Sequence, residues 1–287
     1  MLSHKFQAIG TKWSIETPEP LTNAEKTEIA QAIDEFDIAF SRFRTDSLVW
    51  EAYQNAPGKF QFPDKLGPLF TLYQKLSILT NGQINPLVGG SLEQLGYDTE
   101  YSLVPKIPTP APIFSQTVTR DKNILEFIKP ALLDIGAVGK GALVDIITEV
   151  VSENHEHYVI DGSGDIAVNT IEPEIIGLEH PANPELVIGL VKITNASICA
   201  SAINRRSWGN NLHHIINAKT GKPITNGIVA TWAITNNTMQ ADALSTALFF
   251  SEVTEIQKVF GHFHFVVMHK DGKVHHNLNQ EIGELFS

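Results

Sequence analysis

Leu133-Asp134-Ile135-Gly136-Ala137-Val138-Gly139-Lys140-Gly141-Ala142-Leu143-Val144-Asp145 reads as a tight Gly-rich turn that runs into a helix. Gly136, Gly139 and Gly141 lack a Cβ, so a ligand or another backbone can come close. Beyond them Leu143, Ile146, Ile147, Val150 and Val151 recur at 3-1-3-1 spacing, one apolar face of a helix. A helix start offers free N–H groups and a positive dipole end, which favour an anion such as a phosphate. Lys140 adds a full charge there. The same glycines also suit a plain strand-to-helix connection. The stretch is neither the dinucleotide pattern G-x-G-x-x-G nor a Walker loop ending in G-K-[ST].

On the N-terminal side, residues 5–16 read as a strand that ends or bends at Gly10-Thr11. Thr22-Asn23-Ala24-Glu25 is a capping box opening a helix with Ile29, Ile33, Phe36, Phe40 and Phe43 on one stripe. The polar, basic segment 41–47 reads as a solvated loop. A second helix over 64–80 turns Leu69, Leu72, Tyr73, Leu76 and Leu79 inward and stops at Asn81-Gly82. Gln83 to Pro86 is extended, and a short helix follows, ending near Gly96. The segment 104–112 holds Pro105, Pro108, Pro110 and Pro112, an extended, poorly hydrogen-bonded surface excursion. A hairpin is expected within 115–134.

On the C-terminal side the pattern changes to short strands at 157–160, 165–169, 174–178, 186–194, 197–202, 212–217 and 229–235. Helices return at 239–250 and 252–260. A hairpin of 263–269 and 273–276 turns at Asp271-Gly272. Helices early and antiparallel strands later predict an α+β fold, with one domain over residues 1–287.

Composition narrows the function. The apolar fraction of 43% and charged fraction of 18% are those of a globular chain, and its 287 residues suffice for a full core. A net charge of −11 argues against a nucleic-acid surface. The single cysteine, Cys199, leaves no intramolecular disulfide and no Cys-based zinc cluster. The histidine pairs His213-His214 and His275-His276 lack the H-x-x-x-H spacing of a helical metal site. No apolar run is long enough to span a membrane, and the N-terminus carries no signal-like segment or early lipid-accepting cysteine. The expectation is a cytoplasmic protein, although a chain trimmed at its start would read the same.

Ala241-Asp242-Ala243-Leu244-Ser245-Thr246-Ala247-Leu248 is the second informative stretch. Asp242 and Thr246, four apart, share one face of a helix. A carboxylate beside a hydroxyl suits a hard cation such as Mg²⁺; an Asp favoured by the helix dipole fits the same pattern. Asp161-Gly162-Ser163-Gly164-Asp165 is a Gly-rich turn between strands, or a plain hairpin. Arg205 and Arg206 have the fork that grips phosphate. His214 is either a base, by its ordinary pKa, or a structural group.

The order of these pieces is more specific than any one. Ile9-Gly10-Thr11, Phe40-Ser41-Arg42-Phe43 with Asp46-Ser47, Gly82 to Pro86, and Leu133 to Asp145 are followed by Asp161 to Ile166 and Ser201 to Arg206. Then come His214-Ile215-Ile216 with Thr220-Gly221-Lys222-Pro223, and Ala241 to Leu248. The series resembles the ApbE family, the FAD:protein FMN transferases, over about residues 6 to 250. The resemblance implies an α+β fold related to the T-fold, antiparallel sheets with flanking helices and a flavin groove between them. It implies Mg²⁺ held by the Ala137 carbonyl and the side chains of Asp242 and Thr246. It implies FAD contacts from Ile9, Phe43, Gln83, Ile84, Asn85, Asp134, Lys140, His214 and Ile215. The implied reaction moves the FMN half of FAD through a phosphoester bond to a Thr or Ser hydroxyl of a flavin-acceptor protein and releases AMP. His214 or Asp242 would take the hydroxyl proton. A non-catalytic FAD-binding protein, or Mg²⁺-dependent hydrolysis of FAD to FMN and AMP, would draw on the same residues. The chain departs from the family pattern at Ile9 for Met, Asn85-Pro86-Leu87 for Asp-Pro-Thr, Ser201-Ala202 for Ser-Gly and Asn217-Ala218 for Asp-Pro.

Overall fold

In the computed structural model, which describes residues 1–209 and 212–286, the chain opens with a hairpin, β1 (Leu2–Ala8) and β2 (Thr11–Thr17). Expected as a strand that ends or bends at Gly10-Thr11, this segment ends there and folds back on itself because Ile9 and Gly10 take φ of 42° and 75°, the two left-handed positions of a tight turn. The capping box forms: Glu25 N donates to the Thr22 hydroxyl at 3.2 Å and Thr22 N to the Glu25 carboxylate at 2.7 Å. It opens α1 (Asn23–Phe40), which stops before Phe43, so Phe43 leaves the expected stripe. Ser47 then caps α2 (Leu48–Asn55), which leads to β3 (Gly58–Gln61). Both elements are too short to show a period in the sequence.

A 3₁₀ turn, Asp64–Leu66, precedes α3 (Gly67–Leu79), and another, Pro86–Val88, precedes α4 (Gly89–Gln94). After the proline-bearing excursion come α5 (Phe114–Thr117), β4 (Val118–Asp121) and β5 (Ile124–Phe127). The hairpin expected here takes β3 as a third strand, in the order β3-β5-β4. Then follow α6 (Gly139–Ser152), β6 (Tyr158–Asp161), β7 (Asp165–His180) and β8 (Asn183–Ala202). Four expected strands therefore merge into two long ones. Pro173 interrupts the sequence pattern, but it sits where the β7 register slips between Asn169 and Glu174, a bulge that tolerates a missing N–H.

The expected strand at 212–217 is two short ones, so the chain continues β9 (Ser207–Trp208), β10 (Leu212–His213), β11 (Ile216–Asn217) and β12 (Lys222–Pro223). Asn210 and Asn211, in the loop expected between Arg206 and His213, lie outside the described residues. The remainder is β13 (Ile228–Thr235), α7 (Thr238–Ala247), α8 (Val253–Phe260), β14 (His264–His269), β15 (Val274–His276) and β16 (Gly283–Leu285). Among the described residues, no helix is long and apolar enough to cross a membrane.

The main sheet is antiparallel throughout, in the order β1-β2-β6-β7-β8-β13-β14-β15, with β16 added against β8. Side chains alternate across it. On β13, Ala230, Trp232 and Ile234 join an outer core with Val168, Ile198 and Val266, which Leu278, Ile282 and Leu285 cover. The intervening Thr231 donates to the Ser245 carbonyl of α7 at 2.6 Å. On β8, Ser197, Cys199 and Ser201 likewise meet α7: Ser197 bonds Thr238 and Ser201 bonds Ser245, both at 2.7 Å. The inner core packs α1, α3, α6 and α7 between this face and the small sheet. The functional residues gather along the inner face.

Candidate active site

The Gly-rich turn is fixed from three sides. Asp134 N donates to the Pro86 carbonyl at 2.7 Å. The Asp134 carboxylate accepts from Gly136 N at 2.8 Å and from Arg42 Nε at 2.7 Å. The Tyr73 hydroxyl donates to the Asp134 carbonyl and accepts from Ala137 N, each at 3.3 Å. Burial raises the Tyr73 pKa well above its ordinary value, with Asp134 adding to the effect, so the phenol stays a donor.

The turn then enters α6, whose start meets α7. Gly141 N donates to Asp242 Oδ2 at 2.9 Å, so a carboxylate of the chain itself takes one N–H of the helix start. The helices cross closely: a Cβ on Gly141 would overlap the Thr238 carbonyl oxygen and come within 2.7 Å of Asp242 Cβ. Asp145, one turn further along α6, accepts from Thr238 N at 3.0 Å, Met239 N at 2.9 Å and Asn237 Nδ2 at 2.7 Å, capping α7 from outside. Asp242 lies past the first turn of α7, so its place owes nothing to that helix's dipole.

Lys140 pairs with Asp165 at the start of β7. Burial pulls the Lys140 pKa down, but Asp165 and Asp242 outweigh it and leave it raised. Asp242 is raised by burial first and by the Asp165 charge second. Asp165 is fully buried, and its Oδ1 has no hydrogen-bond partner. Two buried carboxylates thus face one ammonium group, an arrangement short of positive charge. Asp242, the Thr246 hydroxyl and the Ala137 carbonyl are hard oxygen donors around one cavity, and such donors suit a small divalent cation that keeps other positions for phosphate or water. Among the described residues, no cluster of three His, Cys, Asp or Glu side chains could hold a metal, so any cation here would rest on this mixed set.

Two cavities abut at this point. One, of about 290 Å³, is lined by Gln83, Ile84, Asn85, Ala137, His214, Ile215, Asp242 and Thr246. The other, of about 630 Å³, is lined by Ile9, Phe43 and Tyr101. Asp134, Lys140, Tyr97, Arg205 and Arg206 border both. Every site residue expected from the sequence therefore lies on one continuous groove. Asn85 uses its side chain within the fold: Oδ1 accepts from Leu87 N at 3.0 Å and Nδ2 donates to the Pro112 carbonyl at 2.8 Å. An Asp there could not make the second bond. Gln83 Oε1 accepts from Asn217 Nδ2 at 2.9 Å. Burial, with Arg206 nearby, pushes the His214 imidazole down to about 3, so it is neutral at ordinary pH and a weak proton acceptor.

The sequence reading of 41–47 as a solvated loop is corrected. Arg42 is 2% exposed, pairs with Asp134 and with Glu93 at 2.7 Å, and lies 4.2 Å from the Phe43 ring centroid and 4.7 Å from that of Tyr97. Tyr97 stacks on Trp208 with centroids 5.5 Å apart, and Phe43 stacks on Tyr101 at 5.0 Å. Arg42, Asp165, Tyr73 and Tyr97 are site residues the sequence reading did not single out. The available signal for Arg42 was its place between Phe40 and Phe43, where a charge needs a buried partner.

The chain is similar to known proteins in sequence and in fold. The ApbE family pattern matches residues 9–266. FAD:protein FMN transferase of Haemophilus influenzae is 26% identical over 254 residues, covering 79% of this chain and 72% of the relative. That of Buchnera aphidicola is 22% identical over 268 residues, covering 85% and 78%. Among solved structures, the ApbE protein of Thermotoga maritima superposes with a TM-score of 0.82 at 19% identity, over 96% of each chain. The flavin transferase ApbE of Vibrio cholerae gives 0.78 at 19% identity, again over 96% of each. The antiparallel α+β fold is theirs, and with the family pattern spanning most of its length, this chain belongs to the ApbE family.

Proposed function

We propose that this chain is an FAD:protein FMN transferase that moves the FMN half of FAD to a Thr or Ser hydroxyl of a flavin-acceptor protein. The observation that carries the reading is the groove, in which Asp242, Thr246 and Ala137 line one cavity and Lys140 stands where it meets the second. The relatives that bear this name lend the reaction class. In the reaction the acceptor oxygen bonds to the phosphorus of the FMN phosphate as the bond from that phosphorus to the bridging oxygen breaks. AMP leaves with the bridging oxygen, and the hydroxyl proton passes to a base.

Lys140 and the guanidinium groups of Arg205 and Arg206 supply charge complementary to a diphosphate. Tyr97, Phe43 and Tyr101 pack together as an aromatic wall of the groove that gives a planar ring apolar contact. Asp242, Thr246 and the Ala137 carbonyl would hold Mg²⁺, which when bound neutralises charge building on the phosphates. The proton acceptor is His214, which burial leaves neutral and weakly basic, or Asp242 where the cation leaves one of its oxygens free.

The test incubates the purified chain with FAD, MgCl₂ and a flavin-acceptor domain, and reads flavin fluorescence on the acceptor in a denaturing gel. Fluorescent acceptor and stoichiometric AMP are expected, and Asp242→Ala lowers the rate by about 100-fold or more. AMP without fluorescent acceptor would make the chain a hydrolase of FAD; bound FAD with no AMP would make it a carrier.

A further inference from the structure

The proline-bearing excursion between α4 and α5 presents apolar side chains to water. Val104 is 65% exposed and Ile107 is 90% exposed, with Leu103 at 45%. Single exposed aliphatics are ordinary, but a run of them on one loop marks an interaction surface. The loop is held firmly. Leu103 N donates to the Gly96 carbonyl at 2.8 Å, Lys106 N to the Gln94 carbonyl at 2.6 Å, and Thr109 N to Gln94 Oε1 at 2.6 Å. Ala111 N donates to the Ala218 carbonyl, and the Ser91 hydroxyl to the Thr109 carbonyl, both at 2.8 Å. Expected to be poorly hydrogen-bonded, the excursion is instead pinned to α4 and to the turn after β11. Its prolines fix φ at further positions. Such a surface loses little conformational freedom when something docks on it.

What docks is set by where the loop lies. Its first residues continue the groove: Tyr101 lines the larger cavity, and Asn85, which lines the smaller one, bonds Pro112 at the loop's far end. Resting on the transfer reading above, we propose that Val104 and Ile107 form the docking surface for the flavin-acceptor protein, taking an apolar patch next to its modified hydroxyl. The macromolecular substrate has to deliver that hydroxyl into the groove and so has to sit on its rim.

The test compares the parent chain with the double variant Val104→Ser/Ile107→Ser and the control Ile171→Ser. Ile171 is 75% exposed and stands six residues along β7 from Asp165, roughly 20 Å away. These side chains are exposed, so all variants are expected to fold, as melting curves would verify. KM for a purified flavin-acceptor domain is expected to rise by about tenfold or more in the double variant, with kcat and the FAD dissociation constant unchanged and the control unaffected. An unchanged KM while the parent modifies the acceptor would overturn the docking proposal alone. So would a KM unchanged but a dimer dissociated in sedimentation, which would assign the patch to a second copy of this chain. Absence of transfer by the parent would instead remove the transfer reading.

Discussion

Arg42 brings its guanidinium into the interior and holds two carboxylates, Asp134 and Glu93, each at 2.7 Å. Removing it strands both acids and frees the turn that presents Ala137 and Lys140. Arg42→Met is expected to cost about 3–5 kcal/mol in urea unfolding, because the partners keep their burial and lose their counter-charge. Arg42→Lys keeps the charge but not the planar fork, and should fall between the two. His214 carries the clearest pH signature. Its folded pKa of about 3 lies below the ordinary value near 6.5. The unfolded chain therefore binds the proton first, so the stability from keeping the ring neutral is complete above about pH 6.5 and drains away as pH falls toward 3. Asp242, shifted upward, acts in the opposite sense, being costlier to keep ionised as pH rises. Comparing His214→Gln with the parent at pH 7.5 and 5.0 isolates the imidazole: the variant should lose less stability over that interval.

At the scale of elements, the α6–α7 crossing organises the site. In an open helix, Gly→Ala stabilises by about 1 kcal/mol. At Gly141 the new methyl would overlap the Thr238 carbonyl, and backbone cannot swing aside. Gly141→Ala should therefore destabilise by about 1–3 kcal/mol and displace the Asp242 carboxylate. Gly139 is the internal comparison, because its obstruction at 2.9 Å is the flexible end of Ile135. Gly139→Ala should cost less, and equal losses in thermal melts would refute this account of the crossing. These two helices were legible in sequence because their apolar repeats and small residues are local. The capping of α7 by Asp145 was not, since nothing local links an aspartate on one helix to amides 93 and 94 positions away. The buried role of Arg42 was hidden for the same reason: its partners lie 51 and 92 residues along the chain.

Across the whole molecule, strand alternation joins fold to site. Asp165, Cys199, Ser201 and Thr231 come from three neighbouring strands, and all face the helix layer because a strand sends every second side chain to one side. The alternation itself was readable; which strands neighbour one another was not, so the Lys140–Asp165 pair had no trace in the sequence beyond a Gly-rich turn. Trp208 adds a practical consequence. Its indole donates to the Leu95 carbonyl at 2.8 Å and stacks on Tyr97, a shared wall of both cavities. Flavin absorbs in the band where indole emits, so the protein has its own optical probe at the groove. Titration with FAD should quench the ultraviolet emission in a saturable way, and Trp208→Phe should remove much of that signal, giving occupancy without a label.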